Sequence, residues 1–278
     1  MRIGAAVLAL MVLVALAAPW LGTVDPSLFD AGSRDLLPGK TGDITTLEGE
    51  TLRHTFVMGS DSFGRDIYSR VIYGTRVSLV VGIATALLSL AIGILCGLAA
   101  GYLRWLDGIL MRFMDGIMAI PAILIAIALV ALWRGSVFTV VIAIAIPQIP
   151  NVTRLVRSLV LSIREEPYVE AAIALGTPTR KILFGHILPN CVAPLIVQGT
   201  FICASGILVE AILSFLGVGL PPDVPTWGNI MAEGRAQFVS FPHNVFFPGI
   251  FLAVTVLAVN ILGDGLRDTL DPRMSKRI

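Results

Sequence analysis

Six mainly apolar stretches, each about as long as the 20 residues a helix needs to cross a bilayer, recur along this chain of 278 residues. Inside lipid every backbone N–H and C=O must find its partner within the protein, which leaves helices or closed barrels. Barrel strands are shorter and alternate apolar with polar residues, so these runs read as helices. The first spans Ile3 to Gly22 and the second Val77 to Leu103, both without a single charge. Within the second, Gly82, Gly93, Gly97 and Gly101 offer a surface for close helix contact. The third runs from about Gly116 to Trp133 and the fourth from Gly135 to Thr153, with only Arg134 between them. Pro121, Pro147 and Pro150 are expected to kink or shorten these two. The fifth extends from about Ile187 to Leu216 and the sixth from about Val245 to Gly263.

The expected fold class is an all-α polytopic membrane protein with six transmembrane helices in one membrane domain. Residues 1–22 form the first helix, 23–76 a long external loop with a short amphipathic helix, and 77–278 the core. Composition agrees: 56% of residues are hydrophobic and 14% charged, against about a quarter charged in soluble domains, and the mean hydropathy is +0.86. The net charge of +1 comes without any basic stripe, which argues against a nucleic-acid partner. Cys96, Cys191 and Cys203 lie in or beside apolar runs and give neither a disulfide framework nor metal spacing. His54, His186 and His243 are far apart and match no ligand motif. No cofactor is expected.

The first stretch has two readings. Arg2, the apolar run and Ala15-Leu16-Ala17 also suit a secretory signal with a cleavage site. With six spans both termini share one side, together with Arg104, Arg112, Arg154, Arg157, Arg164, Arg180, Lys181, Arg267, Arg273, Lys276 and Arg277. The short loops on the other side offer only Arg134 and Arg235, so both termini are expected in the cytoplasm. The stretch from Thr23 to Arg76 holds six basic and eight acidic residues, but so long a loop constrains orientation weakly.

The most informative polar stretch is Arg164-Glu165-Glu166-Pro167-Tyr168-Val169-Glu170-Ala171-Ala172-Ile173-Ala174-Leu175-Gly176-Thr177-Pro178. Pro167 suits the first turn of a short helix and Gly176 the left-handed residue that ends it. Thr177 reads as an N-cap with Pro178 at the first position of a second helix running towards Pro189. Val169, Ala172, Ile173 and Gly176 share one face of the first helix. By itself this loop reads equally as a solvated connector. Its motif is more specific: Glu170-Ala171-Ala172, three residues, Gly176, nine residues and then His186-Ile187-Leu188-Pro189 resembles the EAA loop of ABC importer permeases, with His186 where the general motif has Ile. His186-Ile187-Leu188-Pro189-Asn190 is similar to the variant of the oligopeptide, dipeptide and nickel permeases. Gly59 to Asp66 with Tyr73 to Leu79, Ser214 to Leu220 with Pro225 to Asn229, and Asn260 to Asp268 with Leu270 to Arg273 resemble the same branch in the same order.

That resemblance implies a type I ABC importer permease fold in a bacterial inner membrane, with the first helix retained. It also implies a homologous second permease, two ABC ATPase subunits docking on the EAA loops (about 164–190), and an external solute-binding protein. The solute would be a di- or oligopeptide, with nickel or another small solute as the alternative. Glu170, Ala171, Ala172, Gly176, Leu188 and Pro189 would couple to the ATPases, and the chain itself would carry no catalytic residue.

Gly39-Lys40-Thr41 mimics the end of a phosphate-binding loop, but Arg34 stands where the first glycine belongs. Ile67, Tyr68, Val71 and Ile72 share one helical face beside an Asp66–Arg70 pair, which suits either a surface helix or a simple lead-in to the second span. Trp227 suits an interfacial anchor, and the loop from Pro221 to Asn229 a docking surface. Glu210 is the one acid deep in an apolar run. It lines the pathway, hydrogen-bonds a neighbouring helix or lies near the outer interface as the fifth span ends. An ion-driven carrier would need coupling carboxylates or inverted repeats, and only Glu210 is available. An intramembrane enzyme would need a nucleophile, acid–base set or metal motif, and none is legible.

Overall fold

The computed structural model describes residues 1–46, 48–133 and 135–270. Arg134, the hinge expected between the third and fourth spans, and Asp271, Pro272, Arg273, Lys276 and Arg277 lie outside them. Among the described residues, five helical segments are long and apolar enough to cross a membrane, and six if one sharply bent pair is taken as a single span.

Helix α1 (Arg2–Ala17) lies against α11 (His243–Leu270), near enough that a Cβ on Gly4 would sit 2.8 Å from the Ala258 carbonyl oxygen. The central element is α2 (Ile67–Tyr102), 36 residues long or about 54 Å at 1.5 Å per residue. That exceeds the roughly 30 Å hydrocarbon layer. The amphipathic lead-in expected before the second span is therefore the first turns of the same unbroken helix. No proline interrupts it, and Asp66 caps it by accepting from the Ser69 amide at 2.9 Å.

The expected Asp66–Arg70 pair is not formed, because Asp66 is occupied as the cap. Arg70, 1% exposed, instead donates to Asp61 at 3.0 Å and to Glu233 at 2.9 Å. Arg65 bridges the same two carboxylates. Glu233 belongs to α10 (Trp227–Gly234), so this cage ties the long loop, the head of α2 and α10 together.

The long loop contains what sequence reading missed, an antiparallel hairpin of β1 (Lys40–Thr45) and β2 (Thr51–Phe56). Its signal was present in the recurring threonines of the two strands, in Ile44 and Phe56, which are 1% and 0% exposed, and in the left-handed Gly49 (φ 82°) of the turn. The membrane part is helical as expected; the hairpin is the addition. Gly39-Lys40-Thr41 enters β1, not a helix.

The third span departs most from expectation. Gly116 lies inside α3 (Arg104–Met118), which bends by 85° into α4 (Ala122–Leu132). Pro121 has no N–H to continue the ladder and pushes Ile120 out of the helical region. The 11 residues of α4 rise only about 16 Å, so α4 does not cross alone. The fourth span comprises α5 (Val137–Ala145), a tight turn at Ile146–Gln148 carrying Pro147, and α6 (Ile149–Ile163). It continues ten residues beyond Thr153 because Arg154 and Arg157 find partners in Asp115 and Asp107 of α3.

The core forms where α2 meets α6 and α9 (Leu188–Phe215). A Cβ on Gly93 or Gly97 would stand 2.5 Å from the Cβ of Val152 or Val156, and one on Gly101 2.6 Å from that of Val160. Gly82 meets Ile207 of α9 in the same way, at 2.6 Å. The stripe of small residues thus sets how closely these helices approach. Trp227 is no interfacial anchor. It is 0% exposed and donates from Nε1 to the Val71 carbonyl at 3.1 Å, pinning α10 to α2.

Candidate functional site

At the far end of α2 from the hairpin, α6 ends at Ile163 and the chain turns through Arg164 to Glu166. Pro167 then opens α7 (Pro167–Ala174), where its missing N–H costs nothing. The helix stops at a left-handed Gly176 (φ 73°), where the Thr177 amide donates to the Ala172 carbonyl at 3.0 Å and the Gly176 amide to Ile173 at 2.9 Å. This is the paired closure of a Schellman motif. Thr177 is not the next N-cap as expected. Pro178 takes that place before α8 (Thr179–Ile182), its carbonyl accepting from the Lys181 and Ile182 amides at 2.8 and 3.2 Å.

A π turn at Leu183–Ile187 joins α8 to α9, whose first turn contains Leu188 and Pro189. Pro189 cannot donate backwards, and the wide turn accommodates the break. Leu188 packs against the core cluster, while Pro189 is exposed.

The two faces of α7 are unlike. Val169 and Ala172, 0% and 9% exposed, turn inward; Val169 joins Val156, Val160, Ile182 and Ile187 in the core. Glu170, Ala171, Ile173, Leu175 and Gly176 are exposed, Leu175 at 86%. The expected apolar face is thereby split: Ala172 faces this chain's own core and leaves Ala171 as the small residue of the outward side, while Ile173 points outward. Gly176 has no heavy atom within 4 Å of where a Cβ would stand, so backbone conformation alone asks for glycine there.

Two residues that sequence reading left without a role fix α7 in place. Asn190 donates from Nδ2 to the Tyr168 hydroxyl at 3.1 Å and to the His186 carbonyl at 2.6 Å, linking α7 to the head of α9. Burial, and secondarily Glu166, push the Tyr168 hydroxyl above the ordinary phenol value, so it stays protonated. The only cue in the sequence was an Asn directly after Pro189. Beside α7 a cleft of about 590 Å³ is lined by Tyr102, Arg104, Arg164, Glu165, Glu170, Ile173 and Ala174. A short helix with a mixed charged and apolar outer face, closed by a rigid cap and flanked by a cleft, has the shape of a protein-docking element.

Glu210 lies apart from this site. It is 0% exposed, accepting from Ser214 at 2.8 Å and from Ser78 of α2 at 3.5 Å. The bond from Ser78 reaches it from a neighbouring helix, one of its three expected settings. An acid in an apolar run is accommodated here by two hydroxyls that offset its desolvation.

A family model described as binding-protein-dependent transport system inner membrane component matches residues 89–276. The chain belongs to that family. Among its relatives is "Probable peptide ABC transporter permease protein y4tQ" of Sinorhizobium fredii, 47% identical over 99% of this chain and 89% of its own length. The di/tripeptide transport system permease protein of Pseudomonas aeruginosa is 41% identical over 95% of this chain and 85% of its own length. The oligopeptide transport system permease protein of Bacillus subtilis is 35% identical over 99% and 86%. Among solved structures, the MetNI methionine ABC transporter in an inward-facing conformation matches with a TM-score of 0.61 at 15% identity, covering 74% of this chain and 98% of that one. At that identity the likeness concerns the fold, and it agrees with the type I importer permease architecture.

Proposed function

We propose that this membrane permease is one half of the translocation unit of a peptide importer, paired with a homologous second permease and driven by two ATPase subunits. Di- or oligopeptides are the solutes named for its relatives over most of the chain. The observation that carries the coupling role is the division of α7: Val169 and Ala172 root it in the core that joins α2, α6 and α9. Glu170, Ala171, Ile173 and Leu175 stand bare on the other side. A push on the bare side moves the helices to which the buried side is fixed. Glu170, in the first turn of α7, is favoured by the helix dipole and suits charge-assisted hydrogen bonds to a partner.

Arg104 at the start of α3 and Arg164, Arg180 and Lys181 between α6 and α9 lie at this end, which supports a cytoplasmic setting for it and for both termini under the positive-inside rule. The hairpin end then faces outward, where a binding protein delivers solute. ATP is hydrolysed by the partners, not by this chain.

Purification through a tag on this chain, co-expressed with its second permease and ATPase subunits, tests the coupling role. The expected product contains two ATPase chains, and Ala171→Trp, which places a large ring on the bare face, sheds them while keeping the second permease. Full ATPase retention and coupled activity in Ala171→Trp would reduce α7 to a connector.

A further inference from the structure

Helix α6 has a second face. One side, Val152, Val156 and Val160, is pressed into the glycines of α2. At 100° per residue, Asn151, Arg154 and Ser158 fall about 170° away from that side. Asn151, Arg154 and Ser158 are all exposed. Asn151 donates from Nδ2 to the Gln148 side-chain oxygen at 3.3 Å, and Gln148 in turn donates from Nε2 to Ser205 of α9 at 3.3 Å. Gln148 lies close to the middle of the 27-residue segment Val137–Ile163, at its one tight turn, where Ser89 of α2 donates to the Ala145 carbonyl at 3.3 Å. An amide pair at mid-depth, Asn151 exposed and Gln148 half-buried in the turn before it, is unfavourable against lipid. Discontinuous helices near the midplane are where transporters build solute sites.

We propose that Gln148 and Asn151, with Ser205 beside them and Ser158 further along, line the solute passage and hydrogen-bond the backbone of a passing peptide. This rests on the peptide-importer reading above. Neutral amide side chains present both donors and acceptors, which pair with the N–H and C=O of any peptide bond and leave its side chains unread. A dry contact with the second permease fits less well, because Arg154 and Asp115, on the same face towards the cytoplasmic end, form an ion pair that is 46% and 61% exposed. Such a pair is at home beside water.

The test uses the full complex in proteoliposomes, with Cys96, Cys191 and Cys203 replaced by alanine. Asn151→Cys, Ser158→Cys and, as an exposed apolar control on α2, Leu87→Cys are treated with a charged, water-soluble methanethiosulfonate. Asn151→Cys and Ser158→Cys are expected to react at least about tenfold faster than Leu87→Cys, at rates that change when ATP and vanadate are added. Asn151→Ala combined with Gln148→Leu is expected to cut alanylalanine uptake about tenfold, the scale of one or two lost hydrogen bonds, with both ATPase subunits still bound. Inert thiols at 151 and 158 in a complex that still takes up peptide would overturn the lining role and assign this face to the second permease. Failure of the parent chain to hold any ATPase would instead remove the importer reading itself, and the passage with it.

Discussion

Asn190 reaches the Tyr168 hydroxyl at 3.1 Å, so the head of α9 holds the first turn of α7 by a side-chain bond that spans two elements. Transmission of a push on α7 into the membrane depends on such links being stiff. Tyr168→Phe removes the bond and leaves the ring. Loss of about 1 kcal/mol is expected to leave ATPase subunits bound but to lower peptide imported per ATP hydrolysed two- to fivefold. Parallel assays of uptake and phosphate release check this; an unchanged ratio would mean that the link does not transmit.

Gly176 separates conformation from contact. Its φ of 73° costs other residues about 1–2 kcal/mol, with Asn the mildest, and a side chain there meets nothing within this chain. Gly176→Asn should therefore keep most coupled activity, whereas Gly176→Leu, which adds strain and bulk at the docking face, should lose ATPase docking or uptake at matched surface expression. Equal, normal behaviour of both variants would refute the role of the cap.

The glycine stripe gives a prediction about assembly of the membrane core. Gly97→Leu drives a side chain into Val156, and overpacking of this kind costs about 1–3 kcal/mol. The thermal unfolding midpoint in detergent should fall, and Val156→Ala on the same chain should restore part of it, because the two sites are in contact. Independent, additive losses would mean that α2 and α6 do not pack through these residues.

Much of this was legible in advance, for reasons that differ by element. The long helices follow from apolar length, and a close helix contact on α2 from glycines spaced four apart at Gly93, Gly97 and Gly101, although nothing in that spacing names α6 as the partner. Gly176 announced its own conformation. The bend at Pro121 was foreseen as a kink, but the reach of α3 back to Arg104 was not, because Asp107 and Asp115 look like loop charges until Arg157 and Arg154 are seen to pair with them. Helical spacing from Val169 placed Ala172 on the inward face, but it placed Ile173 there too. Only the packing of α7 against Val156 and Val160 shows that Ile173 is left outside. The cage of Asp61, Arg65, Arg70 and Glu233 joins positions more than 160 residues apart, a pairing that no local pattern encodes.

Glu210 yields a two-variant test. Glu210→Gln keeps hydrogen bonds to Ser214 and Ser78 and should preserve both the unfolding midpoint and uptake. Glu210→Leu leaves those buried hydroxyls without their partner, at about 1–3 kcal/mol, and should lower the midpoint. If Glu210→Gln folds normally yet abolishes uptake, the charge itself serves transport and the packing role is wrong.

The most direct measurement is uptake of a radiolabelled dipeptide into proteoliposomes containing this chain, its second permease, both ATPase subunits and the binding protein. The account predicts uptake that requires ATP hydrolysis and every one of these components, with none from vesicles holding this chain alone under an imposed proton or sodium gradient. Gradient-driven uptake by the chain alone, without ATP or partners, would contradict it.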